Sequence, residues 1–539
     1  MSKPEVPATA TTMDEEAHHT ETVTMKEKFF HHWPAFMYCG LTSFGGIQLG
    51  LDLGAIAGFQ AMPGFLQIFG FPSKVSVIGY GINPTVQQLI SSLMLLGAFL
   101  ACLLIGPVGK YVSRKWVLFI GCCINHLAVI LMMLATDLAT LYAGRTIMGL
   151  SVGILDVLPQ LYIHECAPAV QRGSLLGAFN VLVSVGLLVG SIVDNYTSTL
   201  MSKESYRIPL GLFFIFPVII SVLLPFMPET PRWLVEHNQV EKARKSLIRL
   251  RNKATSAQMI EAELQEIVTA FETETALTQG SALFDCFRKT NLRRTLLALG
   301  LLTCLTGSGG VFILSYGTYF FQVAGQTNAF AEVVGMTAAG LAGTLFSMWL
   351  ITKIGRRTIL LFGFATQAVS MLIVATVYQF GGVSAAAGRS LVAFTIIYLF
   401  FYNMCIAPYL YLCAGEIPTQ RLRGYTLGMA IALAFLWNWV ASYTTPYFLN
   451  PLELNWGGKY GYIWFGSNVI IVVFIFFAVP ETKDRTLEEI DEMFEEKVPA
   501  RKFKNYKCVR SEHARAIGMH IIQDKQSEGH SHVETLGNQ

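Results

Sequence analysis

Charge is what this sequence has least of: Asp, Glu, Lys and Arg make up 14% of its 539 residues, against roughly 25% in a soluble domain. With 53% of its residues hydrophobic, the chain is not built for a water-soluble fold. The basic residues gather into no stripe and the net charge is only +3, so composition points to no nucleic-acid partner. The first 33 residues mix Thr, Glu and His and lack an apolar core, so no cleaved signal peptide is expected and the first helix acts as its own insertion signal. None of the ten cysteines falls in a predicted outer segment, and no structural disulfide is expected.

What the chain has instead is a series of long stretches nearly free of charge, each close to the roughly 20 residues that span about 30 Å of hydrocarbon. They run over 35–58, 86–107, 115–136, 140–163, 174–193, 208–227, 295–321, 329–351, 358–379, 391–414, 425–447 and 461–480. The expected fold is an all-α polytopic membrane protein of twelve transmembrane helices. With both termini inside, the central loop alone holds eleven Lys and Arg, whereas the outer loops hold only Lys74, Lys203, Arg207, Arg389 and Lys459. The positive-inside rule therefore places both termini in the cytosol.

The chain repeats itself. HECAPAVQRG at 164–173 returns as GEIPTQRLRG at 415–424, and MPETPRW at 227–233 returns as VPETKDR at 479–485. Glu165 precedes Arg172 by seven residues, as Glu416 precedes Arg423, and the next Pro-Glu-Thr acid, Glu229 or Glu481, follows after 64 or 65 residues. SRKW at 113–116 and GRRT at 355–358 form a third pair. Such duplication is a mark of carriers that rock one half against the other around a midplane site. The expected organisation is a cytosolic tail at 1–34, a six-helix half at 35–228, a cytosolic helical linker at 229–294, a second half at 295–480 and a cytosolic tail at 481–539.

Through PETPRWL, YRIPLGL at 206–212, GRTIMGLSVG at 144–153 and PETKDRTLEEIDEMF at 480–494, the chain resembles the sugar porter family of the major facilitator superfamily from about residue 35 to 503. TYFF at 318–321 and TPYFLNPLELNWGGKYGY at 445–462 resemble the fungal members, including α-glucoside and hexose proton symporters. The resemblance implies secondary active, proton-coupled sugar uptake by alternating access, with a disaccharide or a hexose as substrate. It requires no cofactor and no metal. The partners would be a sugar, a proton and the lipid bilayer, with the chain working as a monomer, in the plasma membrane. A facilitative hexose or polyol carrier, or a nutrient receptor that does not transport, are the alternatives.

Asp52 lies in the middle of the first span, where a carboxylate costs at least about 2.5 kcal/mol. An Asp that alternately meets and loses an Arg can bind and release a proton, and Arg145, mid-span in the fourth helix, is the natural partner. The resemblance implies the same role; the alternative is a static buried pair. Asp156, eleven residues beyond Arg145 and about 16 Å along the helix, is a further acid, a candidate for proton exit. Gln48, Asn180, Tyr316, Tyr411 and Asn438 supply hydrogen bonds and aromatic faces suited to a polyhydroxylated ligand, or else pack helices.

The resemblance also implies a cytosolic gate of Arg114, Glu165, Arg172, Glu229 and Arg232 in the first half with Arg356, Arg357, Glu416, Arg423 and Glu481 in the second. The chain departs from the family at Lys110, Ser113 and Thr352, and its seventh helix, LTGSGGVFILSYGTYFF, lacks the paired Gln and following Asn of hexose carriers. The Gly307–Gly310 stretch is expected to bend that helix or enlarge the cavity. Asn195 opens a glycosylation sequon on the expected outer side. A GxSxG at 149–153 sits within a spanning helix rather than a strand-turn-helix elbow, so it does not read as a hydrolase. HSH at 530–532 stands in a polar tail.

Overall fold

The computed structural model describes residues 33–73, 79–109, 111–168, 171–251, 255, 257–277, 282–351, 353–381, 385–419, 422–483, 485, 487–506 and 508. The expected N-terminal tail up to residue 32, the C-terminal stretch with HSH, Lys74, Lys110 and Thr352 lie outside these residues.

A backbone in hydrocarbon must satisfy its own N–H and C=O groups, and uninterrupted helix does so within each segment. Eleven helices among the described residues are long and apolar enough to cross a membrane. The twelfth is a bent pair, Trp33–Phe59 and Pro63–Phe69, turned by 75°. We number the spanning helices in order: Trp33–Phe59 first, Pro84–Gly109 second, Arg114–Leu134 third, Leu138–Cys166 fourth, Arg172–Thr197 fifth and Glu204–Phe226 sixth. The later six are Asn291–Val323, Ala329–Leu350, Arg356–Phe380, Ala386–Glu416, Arg423–Leu449 and Gly457–Ala478. They cover the stretches expected from the sequence, and the protein is an all-α polytopic membrane protein.

The two sets of six pack alike. The first helix lies against the fifth and the seventh against the eleventh, while the fourth holds the second and third as the tenth holds the eighth and ninth. Across the halves, the second helix meets the eleventh and the fifth meets the eighth. Close approach of the first and fifth helices needs glycine, because a Cβ on Gly50 would run into the Val183 carbonyl and one on Gly186 into that of Ile47. Small residues let membrane helices approach backbone to backbone.

The expected bend of the seventh helix is present. Gly309 takes φ +94°, a conformation that glycine adopts without steric penalty, and the helix stops at Gly307 and restarts at Gly310. The carbonyls freed by the break are covered from neighbouring helices. Ser467 Oγ donates to Gly307 O at 2.7 Å, while Asn468 Nδ2 and the Tyr398 hydroxyl each donate to Ser308 O at 2.9 Å. The tenth helix widens to a π turn over Tyr402–Ile406, just before Pro408, whose ring crowds the preceding turn and supplies no N–H.

Between the halves, helices Pro231–Glu236, Val240–Leu250 and Ala257–Leu277 bury Leu234, Val235, Ala243, Leu247, Ile260 and Leu264 against one another. Arg251 ties this segment to the fourth helix, donating to the Cys166 carbonyl at 3.1 Å and pairing with Glu263. After the last span, helix Leu487–Glu495 is fastened by Arg294, which pairs with Asp491 and lies over the Phe494 ring. Burial pushes the Asp491 carboxyl up, while the Arg294 guanidinium pulls it back.

Candidate functional site: a buried ion pair and the polar faces around it

Asp52 and Arg145 meet in the interior of the first half. Arg145 Nη1 lies 2.6 Å from Asp52 Oδ1 and Nη2 lies 3.3 Å from Oδ2. The Nε of the same guanidinium donates to the Ile90 carbonyl of the second helix at 2.9 Å. Three helices are thus joined at one cation, with the Arg145 and Asp52 side chains 1% and 0% exposed. The fourth helix that carries Arg145 starts at Asp137, whose side chain accepts from Thr140 N at 2.9 Å and Thr140 Oγ1 at 2.8 Å. Those two bonds hold the exposed Asp137 carboxyl below the ordinary carboxylate range.

Further buried polar contacts tie the helices that carry the pair. Gln60 Nε2 donates to Ser91 Oγ at 2.7 Å. Gln48, expected to bind substrate, sits one turn from Asp52 on the same buried face. Its Nε2 donates to Asn125 Oδ1 of the third helix at 3.1 Å, and Asn125 Nδ2 donates to the Phe213 carbonyl at 2.9 Å. Gln48 therefore cross-links helices of its own half. The i,i+4 spacing from Asp52 was the signal that placed it there.

Among the other expected ligand residues, Tyr316 of the seventh helix lies within reach of Ser91 and Arg145 of the first half. Tyr316 is buried, and its hydroxyl donates to the Ser442 carbonyl at 2.7 Å. Asn438 Oδ1 accepts from Thr306 Oγ1 at 2.5 Å, which ties that oxygen to the seventh helix. Asn180 is exposed, with Nδ2 bonded at 3.2 Å to the Leu176 carbonyl of its own helix. It lies on the fifth-helix face between Gly177, where a Cβ would meet Met348, and Ser184, whose hydroxyl bonds Thr344 of the eighth helix at 2.8 Å. Tyr411 lies among Asp156 of the fourth helix, Tyr402 and Cys102 of the second helix, all within electrostatic reach.

Two further contacts join the halves at the other end. Asn450 Nδ2 donates to the Ile82 carbonyl at 3.1 Å and to Gln87 Oε1 at 3.3 Å, and Gln322 Nε2 donates to the Ala61 carbonyl at 3.2 Å. The sequence offered no motif for them.

The repeated charged motifs build the same structure twice. Arg114 Nη2 lies 3.3 Å from Glu165 Oε1, and Arg356 Nη2 lies 3.2 Å from Glu416 Oε1. Glu229 accepts from the backbone N–H of Lys115 at 3.4 Å, while Glu481 accepts from those of Arg356 and Arg357 at 2.8 and 3.2 Å. Each acid covers the N-terminus of the third or ninth helix, where unpaired N–H groups favour negative charge. Arg232 pairs with Glu236, which also reaches Arg114. Arg357 Nη2 donates to the Phe476 carbonyl at 2.6 Å. Arg172 and Arg423, one from each half, both act on His164. The ion pairs described thus lie within one half, and the halves approach each other at His164. Asn195 lies in the last turn of the fifth helix and the sequon's Thr197 is buried.

Two equivalent six-helix sets, a broken seventh helix and an ion pair buried in one set define a major facilitator fold. Comparison with known proteins agrees. A family model described as sugar (and other) transporter matches residues 38–494. The major facilitator-type transporter ecdD of Aspergillus rugulosus is 34% identical over 87% of this chain and 89% of its own length. The hexose transporter HXT8 of Saccharomyces cerevisiae is 30% identical over 85% and 81%. Among solved structures, the xylose transporter XylE of E. coli in a partially occluded inward open conformation superposes with a TM-score of 0.69. It is 19% identical and covers 84% of this chain and 99% of its own. The chain belongs to the sugar (and other) transporter family.

Proposed function

We propose that this protein is a secondary active carrier that couples sugar uptake to proton entry by alternating access. The observation that carries the proposal is the Asp52–Arg145 pair, removed from water and held by two contacts to one carboxylate. An ionised pair is stable there only while both charges face each other. Protonation of Asp52 removes the countercharge and frees Arg145, leaving it on the Ile90 carbonyl, and so gives the first, second and fourth helices a second arrangement. A bound proton is thereby converted into helix movement.

The energy is sufficient. One proton entering through about 100 mV releases about 2.3 kcal/mol, and a tenfold gradient adds about 1.4 kcal/mol. The sugar assignment draws on the family description and on the hexose transporter relative. In this reading the substrate lies between the halves near Tyr411, Asn180 and Asn438, the motif acids and arginines stabilise one closure of the cytosolic side, and both termini are cytosolic. The carrier works as a monomer in the plasma membrane.

The test is uptake of labelled mono- and disaccharides in transport-deficient cells with simultaneous recording of proton flux. Substrate-driven alkalinisation of the medium supports symport. Counterflow without it selects a facilitative hexose or polyol carrier, a reading favoured by the same pair taken as a static strut.

A further inference from the structure

Asp156 is an acid that the coupling mechanism does not use. It lies on the fourth helix, 7% exposed, and its carboxylate accepts from Gln160 Nε2 at 3.2 Å. The same amide also reaches the Asp156 carbonyl at 3.1 Å. Burial and Gln160 are the influences acting on this carboxyl among the described residues, and no guanidinium or ammonium is one of them. Asp52, by contrast, has Arg145. An unneutralised acid at membrane depth is costly and marks a functional position.

The internal repeat relates its neighbour to a residue of the other half. Gln160 precedes Glu165 by five residues, as Tyr411 precedes Glu416, so Gln160 and Tyr411 occupy equivalent places on the fourth and tenth helices. Asp156, one turn from Gln160, acts on both Tyr411 across the halves and Cys102 of the second helix. The seventh helix offers little in return. At its break stand three glycines and Ser308, whose hydroxyl is spent on the Leu305 carbonyl at 2.7 Å.

We propose that Asp156, supported by Gln160, is a substrate-binding residue that accepts hydrogen bonds from two adjacent hydroxyls of a sugar lying against Tyr411. A carboxylate has two oxygens spaced to accept from neighbouring donors, and such charge-assisted bonds are the strong ones. A sugar brings the donors that the protein does not supply, and the aromatic ring covers its apolar face. Recognition of hydroxyls thereby rests on the first half. The inference rests on the proposed sugar transport and specifies its ligand: a neutral sugar with an unmodified vicinal diol.

The test is exchange of labelled glucose and maltose by the full-length protein in vesicles, competed by singly deoxygenated glucose analogues, for the wild type, Asp156→Asn, Asp156→Ala and Gln160→Leu. Amounts of folded protein are matched by size-exclusion profile. We expect half-saturation to rise at least tenfold in Asp156→Ala and less in Asp156→Asn, by more than the maximal rate falls. The wild type should discriminate against one or two adjacent deoxy positions, and Asp156→Ala should lose that discrimination. Unchanged half-saturation and unchanged discrimination in folded Asp156→Ala and Asp156→Asn overturn the inference while leaving sugar transport in place. So does a loss of proton influx with sugar recognition intact, which would make Asp156 a proton group. A wild type that exchanges no sugar of the panel overturns both readings.

Discussion

Arg145 holds Asp52 through both terminal guanidinium nitrogens, at 2.6 and 3.3 Å, with neither side chain more than 1% exposed. Removing one member of such a pair leaves a buried charge without its partner, which costs about 3–5 kcal/mol. Asp52→Leu should therefore lower the unfolding temperature markedly in detergent. The neutral double variant Asp52→Leu/Arg145→Met should regain a large part of that loss and still fail to accumulate sugar. Equal destabilisation in the single and double variants would contradict a cost that arises from the unpaired Arg145 charge.

Glu481 bonds two backbone N–H groups at the start of the ninth helix, and Gly355 leaves room for its carboxylate. Glu481→Ala removes a helix cap worth about 1 kcal/mol, whereas Glu165→Gln loosens a partly exposed pair worth about 0–1 kcal/mol. Initial uptake rates at matched surface expression should fall further in Glu481→Ala than in Glu165→Gln. The reverse order would contradict the capping role.

Asn450 joins the halves through the Ile82 carbonyl and Gln87. Each net hydrogen bond contributes about 0.5–1.5 kcal/mol. Asn450→Leu should shift the conformational equilibrium about tenfold away from this closure. The shift can be read as faster labelling of a cysteine introduced at the buried Val86, with Gln87 kept, in a cysteine-free background by an impermeant reagent. Unaltered labelling would mean that the bonds are incidental.

Gly50 packs where the Val183 carbonyl leaves no space for a side chain, whereas nothing lies within 4 Å of a Cβ at Gly428. Gly50→Val should abolish folded, membrane-inserted protein, and Gly428→Ala should retain uptake. Comparable expression of both would contradict the close approach of the first and fifth helices.

The spanning helices were legible because lipid imposes one simple demand, an unbroken apolar run, and the repeated Glu and Arg motifs were legible because two halves use the same caps and pairs. The break at Gly309 could be read from adjacent glycines. Facing was harder. Gln48 and Tyr316 are polar residues in spanning segments, which fits a ligand site or a helix contact equally, and their contacts with Asn125 and Ser442 carry no sequence signal. The contacts of Asn450 and Gln322 join residues hundreds of positions apart, or a side chain to a backbone carbonyl, and leave no periodic trace. The turn after Phe59 was also missed, since Pro63 continues an apolar stretch while redirecting it by 75°.

The central claim is that Asp52 is the group whose protonation drives the cycle. The direct measurement is sugar-induced proton influx beside labelled sugar accumulation and counterflow, in the wild type and Asp52→Asn. The account predicts proton influx and accumulation in the wild type, rising as external pH falls, because a proton must bind from outside. In Asp52→Asn it predicts neither, with counterflow retained. Normal proton influx and accumulation against a gradient by Asp52→Asn would contradict it.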